Sequence, residues 1–474
     1  MHIEFFGAAT EVTGSCHILR VGPRTILLDC GLIQGGRSQD ARNAEPFPFV
    51  ARDIDAVILS HAHIDHCGRL PLLVRRGFRG SIHTQQASRL LASILLRDSA
   101  HLAASRARHA TGHRRGEARG DARGEATAEA RAEETALYNL QDVERTLPHF
   151  VSHPYHAWFE VLPDVKARFL DAGHILGSTV VEIEATEGEI TRRIVFSGDL
   201  GQYASPILRD PESPTTADLV LMESTYGNRR HKDRDRSIKE LGELIRDLDA
   251  SSANIVVPAF AVGRSQEFLY HLGNHAKDWR LDRWHIFLDS PLAIEASEVY
   301  WNHGHLFDEE AFGLRKGFTR MPRLPNVHFT RTAAQSRIVN QIESGAIIIA
   351  GSGTCSGGRI LHHLRTALPH VRNHILFTGF QPPGGLGRAL IDHAERVRIH
   401  GQQIEVNAQI HTIGGLSAHG DYDDLLRWYK AIENRPPVCL VHGELTAMQA
   451  LQFRLTTEAG AKATIPEPGQ RIQI

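Results

Sequence analysis

Residues 60–68 read SHAHIDHCG, so three histidines and an aspartate (His61, His63, Asp65 and His66) fall within six positions directly after the apolar run AVIL at 56–59. An apolar run that ends in a polar cluster reads as a buried strand carrying its loop to a sheet edge. Imidazoles at i and i+2 on such a loop aim at one cation, and Asp65 with His66, just beyond, turn toward a second. The bland alternative is a set of solvated loop residues hydrogen-bonded to one another. Four ligand-type side chains so close together behind a buried strand argue against it. A chain with this loop has to fold so that further ligands reach it from elsewhere.

Other strand ends offer them: His174 in DAGHILGS, Asp199 in FSGDLG and His442 in LVHGE. Each alone reads equally as a hydrogen-bonded strand-end histidine or a turn aspartate. The runs leading to them (IEFFGAAT, CHILRVG, RTILLDCG, IDAVILSHAH, VKARFLDAGH, RRIVFSGDLG and DLVLMESTYG) are short, apolar and closed by polar clusters, the pattern of layered α/β folds. From about Asn228 the pattern becomes helix-strand alternation, as in SIKELGELIRDLD, ANIVVPAFA and AIIIAGSGTCSGGRILHHL, which reads as an inserted parallel α/β domain. Signals of the first kind return near Ile404. The expected organisation is 1–225, 226–405 and 406–474, with a low-complexity insertion at about 106–135.

Lys plus Arg number 53 against 55 for Asp plus Glu, so net charge points to no polyanionic partner. The five cysteines are scattered without a Cys-x-x-Cys pair, which argues against a zinc ribbon and a disulfide framework and fits a reducing cytoplasm. No run approaches the ~18 apolar residues of a membrane span, and MHIEFFGAAT has no signal-peptide pattern. A cytoplasmic protein without a membrane partner is expected.

Taken in order, HxHxDH, His174, Asp199, ESTYG at Glu223, SAHGD at His419 and LVHGE resemble the β-CASP branch of the metallo-β-lactamase superfamily. That branch includes RNA-processing nucleases such as ribonuclease J and the pre-mRNA 3′-end endonuclease. The resemblance extends over nearly the whole chain and departs only at the insertion after about Ser105. It implies an αββα sandwich interrupted by an α/β β-CASP domain. It makes His61, His63 and His174 ligands of one zinc, Asp65, His66 and His442 ligands of another, and Asp199 their bridge. Asp29, in LLDCG, would orient a ligand histidine, although a strand-terminating turn residue reads the same way.

Two zinc ions about 3.5–4 Å apart would activate a water and clamp a phosphate oxygen for in-line attack. Asp65, Glu223 and His419 are the expected catalytic residues, with His419 held by Glu223 to protonate the leaving 3′-oxygen and leave a 5′-phosphate and 3′-hydroxyl. The glycine-rich loop GSGTCSGGR at 351–359 places bare N–H groups before a helix, so Ser352 there and Arg264 in AVGRSQ are candidate phosphate contacts; packing alone also explains such a turn. The expected partner is single-stranded RNA threaded between the domains. A DNA-processing nuclease, a non-catalytic RNA-binding subunit and a small-ester hydrolase are the alternatives. His442 favours RNA, since DNA-specific members of the branch carry valine there. Endonuclease against 5′-exonuclease action, the natural RNA and oligomeric state, a homodimer included, stay open.

Residues 116–135 read GEARGDARGEATAEARAEET, a near-repeat of four that stacks like charges at i, i+4 and has no apolar face. A solvated loop is expected before about Ala126. Its functional alternative is a basic guide for RNA over 106–123.

Overall fold

The computed structural model describes residues 1–112, 136–315, 324, 326–379, 381–382 and 384–474. The repeat at 116–135 lies outside them. The chain divides into two compact units: Met1–Tyr203 with Asp210–Arg229 and His419–Ile474, and Ala204–Arg209 with Arg230–Ala418.

Among the described residues the first unit holds two seven-stranded sheets. One is ordered Arg471–Gln473, His2–Gly7, Cys16–Val21, Arg24–Leu28, Ala56–Ile58, Ser81–Gln85, Phe150–His153. The other runs Ala463–Thr464, Val438–Val441, Leu219–Glu223, Ile190–Phe196, Thr179–Glu187, Val165–Asp171, Phe159–Leu162. Side chains alternate across a strand, and the second sheet uses that period twice. Leu219, Leu221, Cys439 and Val441 face a core shared with Ile3, Phe5, Leu28 and Ile58 of the first sheet. Val220, Met222, Val438 and Leu440 face the helices Tyr422–Lys430 and Leu445–Ala459. Burial on both faces explains why these strands read as unbroken apolar runs. The helix Gln86–Gly112 covers strands Ser81–Gln85 and Phe150–His153, completing a helix-sheet-sheet-helix sandwich. Each large aliphatic or aromatic side chain sealed in these layers contributes roughly 1.5–3 kcal/mol.

The second unit is a parallel sheet ordered Val327–Phe329, His285–Leu288, Ala346–Ala350, Ile255–Pro258, His374–Phe377, Gln409–Thr412. The run AIIIA splits by the same period: Ile347 and Ile349 enter one core with Phe268 and Leu272, and Ala346, Ile348 and Ala350 enter the other with Ile360 and Leu364. The strand Gln409–Thr412, expected in the closing segment of the first domain, belongs here instead because it pairs in parallel with His374–Phe377.

No described helix is long and apolar enough to cross a membrane. All five cysteines are free and buried.

Candidate metal centre

The loops that carry the candidate residues leave the C-terminal ends of strands, where α/β sites form. Asp29 follows Arg24–Leu28, His61 and His63 follow Ala56–Ile58, and Asp65 with His66 lies in the short helix Ile64–Cys67. His174 follows Val165–Asp171, Asp199 follows Ile190–Phe196, and His442 follows Val438–Val441. The loops press closely. A Cβ on Gly31 would fall 1.5 Å from the Asp65 carbonyl oxygen, and one on Gly201 would fall 1.9 Å from that of Gly173. Both positions therefore require glycine.

One group comprises His61, His63, His174 and Asp199, and a second Asp65, His66 and His442. His63 Nδ1 lies 3.2 Å from His61 Nε2 and 3.0 Å from His174 Nε2. His66 Nε2 and His442 Nε2 are 3.0 Å apart, with Asp65 Oδ2 3.5 Å from the latter. Asp199 Oδ2 stands between the groups, 3.4 Å from His61, 3.3 Å from His66 and 3.6 Å from His174. Apart from His63 and Asp65, which are partly exposed, these side chains are buried.

This donor set fits metal ions. Zn–N bonds of about 2.1 Å in a tetrahedron put ligand atoms about 3.4 Å apart, close to the spacings here. No proton can bridge three nitrogens that meet at one point, whereas a cation can. Asp199 Oδ1 is buried without a hydrogen-bond partner, an expensive state for an ionised oxygen unless a cation faces it. Burial pushes His61 far down and His63 to about 4, which keeps both imidazoles neutral as ligation requires. Burial acts on His66 in the same direction, but the carboxylates of Asp199 and Asp29 outweigh it and raise the group well above the ordinary histidine value. The negative charge around His66 thus calls for a positive partner, supplied by a proton or by a metal.

Hydrogen bonds fix the rings. Asp29, fully buried, takes His66 Nδ1 at 2.7 Å and accepts from the Ser60 N–H at 2.8 Å, the Ser60 hydroxyl at 2.9 Å and the Ser15 hydroxyl at 3.0 Å. With its proton directed to Asp29, Ser60 Oγ accepts from His61 Nδ1 at 3.1 Å. Both rings then carry the proton on Nδ1 and turn Nε2 toward the group.

Glu223 continues the inward face of Leu219 and Leu221 and is fully buried. Its Oε1 accepts from the Leu200 N–H at 2.7 Å and from His419 Nδ1 at 3.1 Å. Burial lowers His419, but the charge and hydrogen bond of Glu223, with Asp199 and Asp65 beyond, lift it to about 9. His419 lies 4.0 Å from Asp199 and keeps 20% of its side chain exposed, so it can hold a proton next to the group and present it outward.

The two phosphate candidates lie in the second unit. Ser352 sits in the loop between Ala346–Ala350 and Ile360–Ala367, where its Oγ accepts from the Ser356 N–H at 2.9 Å. Arg264 opens the helix Arg264–Asn274, is buried and pairs with Glu267. A phosphate would have to displace that carboxylate to use it.

Sequence reading did not single out Ser60 or Thr225, whose hydroxyls touch His61 and His442. Serine and threonine are common at strand ends, so their only signal is adjacency, Ser60 to His61 and Thr225 to the ESTYG glutamate.

Family models match residues 9–251 (metallo-beta-lactamase superfamily), 265–390 (Beta-Casp domain) and 403–466 (Zn-dependent metallo-hydrolase RNA specificity domain). Ribonuclease TTHA0252 of Thermus thermophilus is 37% identical over all of both chains. Probable RNase MJ4 of Methanocaldococcus jannaschii is 28% identical over all of both. Transcription termination factor FttA of the same organism is 26% identical over 94% of this chain and 67% of its own. A solved Enterococcus faecalis protein of unknown function aligns over 99% of each chain with a TM-score of 0.56 at 12% identity, a likeness of fold alone. The chain belongs to the β-CASP family of the metallo-β-lactamase superfamily and is a metal-dependent nuclease.

Proposed function

We propose that the protein is a zinc-dependent ribonuclease that hydrolyses phosphodiester bonds of single-stranded RNA at a two-metal centre, leaving a 5′-phosphate and a 3′-hydroxyl. The observation that carries this reading is the convergence of seven ligand-type side chains, split into two groups about Asp199, beside the His419–Glu223 pair. The names of two whole-length relatives and the RNA-specificity model at 403–466 support RNA over DNA.

His61, His63, His174 and Asp199 would hold one zinc, and Asp65, His66, His442 and Asp199 the other. When bound, the pair supplies Lewis acidity that lowers the pKa of a water and neutralises charge on the attacked phosphate. Asp29 and Ser60 keep Nε2 of His66 and His61 turned inward. His419 donates its proton to the departing 3′-oxygen, and Glu223 holds the imidazole in place while it does so. In the second unit, the Ser352 loop takes a phosphate of the chain through backbone N–H groups, with Arg264 a contributor once Glu267 yields it.

Incubating zinc-loaded protein with 5′- and 3′-labelled RNA and the matching DNA tests this directly. RNA should be cut to 5′-phosphate ends, DNA left intact and a chelator should stop the reaction. DNA cleavage at the same rate, or 2′,3′-cyclic phosphate ends, would overturn it.

A further inference from the structure

His442 is held differently from His66, the other imidazole of its group. Its residue adopts the left-handed backbone region at φ 52°, which only a few per cent of non-glycine residues enter, histidine more readily than most. The His442 N–H donates to the Ala8 carbonyl at 2.7 Å, and its carbonyl accepts from the Ser224 N–H at 3.2 Å. Thr225 Oγ1 lies 3.0 Å from the same carbonyl and 2.9 Å from His442 Nδ1.

A threonine hydroxyl has one proton, and a carbonyl oxygen can only accept. The proton of Thr225 therefore goes to the His442 carbonyl, and Oγ1 offers its lone pairs to Nδ1. Nδ1 must then be the protonated nitrogen. Asp199 Oδ1, 3.6 Å from Nδ1, is too far to compete for it. The lone pair on Nε2 is left facing His66 Nε2 at 3.0 Å and Asp65 Oδ2 at 3.5 Å.

We propose that Thr225 is a positioning residue: through one hydroxyl it ties the backbone and the ring of His442 together, fixes the Nδ1–H tautomer and so sets the metal affinity of the Asp65, His66 and His442 group. This rests on the two-metal reading above. The end of the strand Leu219–Glu223 thus holds two imidazoles, His419 through Glu223 and His442 through Thr225.

The test compares Thr225→Val, which keeps the shape and loses the hydroxyl, with Thr225→Ser, which keeps the hydroxyl. Zinc affinity is read by chelator competition, and the His442 tautomer by nitrogen-15 NMR of the metal-free protein, assigned through His442→Gln. Thr225→Val should weaken one of two zinc positions by about 10–100-fold and leave the other unchanged, while Thr225→Ser stays within about threefold of the parent at both. The parent and Thr225→Ser should show the Nδ1–H tautomer, and Thr225→Val a mixture. Unchanged zinc affinity in Thr225→Val, equal weakening of both positions with a lowered metal-free melting temperature, or Nε2–H in the parent would each overturn the proposal. A parent that binds a single zinc would sink the two-metal reading instead, and the tautomer measurement would still decide the role of Thr225.

Discussion

Glu223 Oε1 lies 3.1 Å from Nδ1 of His419, a contact between the end of a central strand and a loop 196 residues later in the chain. The same oxygen accepts from the Leu200 N–H, next to Asp199. The His419 imidazole is thereby fixed to the loop that carries the Asp199 carboxylate. Replacing His419 with Ala should leave zinc content unchanged and lower the rate of RNA cleavage by about 10²–10⁴. Single-turnover cleavage and elemental analysis of the same sample check this, and near-normal turnover would remove His419 from the reaction.

Asp29→Asn keeps the shape beside His66 but removes the charge that supports its Nδ1–H. Zinc affinity at the Asp65, His66 and His442 group should fall by about 10–100-fold. Chelator titration reads it, and unchanged affinity would make Asp29 a turn residue only.

In the second unit, Asp289 is fully buried and accepts from the Ser336 hydroxyl at 2.6 Å, the Arg359 guanidinium at 2.6 Å, the Thr330 hydroxyl and the His363 ring at 2.6 Å. It fastens the helix that follows the glycine-rich loop to its neighbours. Asp289→Ala strands these donors and should cost about 3–5 kcal/mol, visible as a lowered melting temperature. A melting curve like the parent's would show that the cluster relaxes freely.

Burial raises the Glu267 carboxyl, but the guanidinium groups of Arg264 and Arg234 outweigh it and hold the group at about 2. A group whose folded pKa lies below its unfolded value adds stability above the unfolded value and loses it as pH falls toward the folded one. The gap in stability between metal-free parent and Glu267→Gln should therefore narrow from about pH 4.5 down to about pH 2. A gap that stays constant over that window would mean that the pair contributes through shape alone.

The sequence displayed the candidate ligands because histidine and aspartate at strand ends stand out against apolar runs, and the structure brings their side chains together. His174, Asp199 and His442 were each ambiguous alone, yet the sheet order places all three strand ends at one edge, which a linear reading reaches only through family resemblance. The hydrogen-bond partners of these side chains were much less visible. Thr225 and Ser60 act through single hydroxyls whose direction depends on a neighbouring carbonyl or carboxylate. The strand Gln409–Thr412 went to the wrong domain because an edge strand of a parallel sheet and a strand of the sandwich look alike in one dimension. Arg264, a candidate phosphate contact in the sequence, is paired in the structure with Glu267 three residues on, a partner that spacing alone does not single out.

The most direct test of the two-metal centre is a zinc-edge anomalous diffraction map of crystals of the active protein. The expected result is two peaks per chain about 3.5–4 Å apart, one among His61, His63 and His174, the other among Asp65, His66 and His442, with the Asp199 carboxylate between them. A single peak in protein that still cuts RNA at full rate would contradict it.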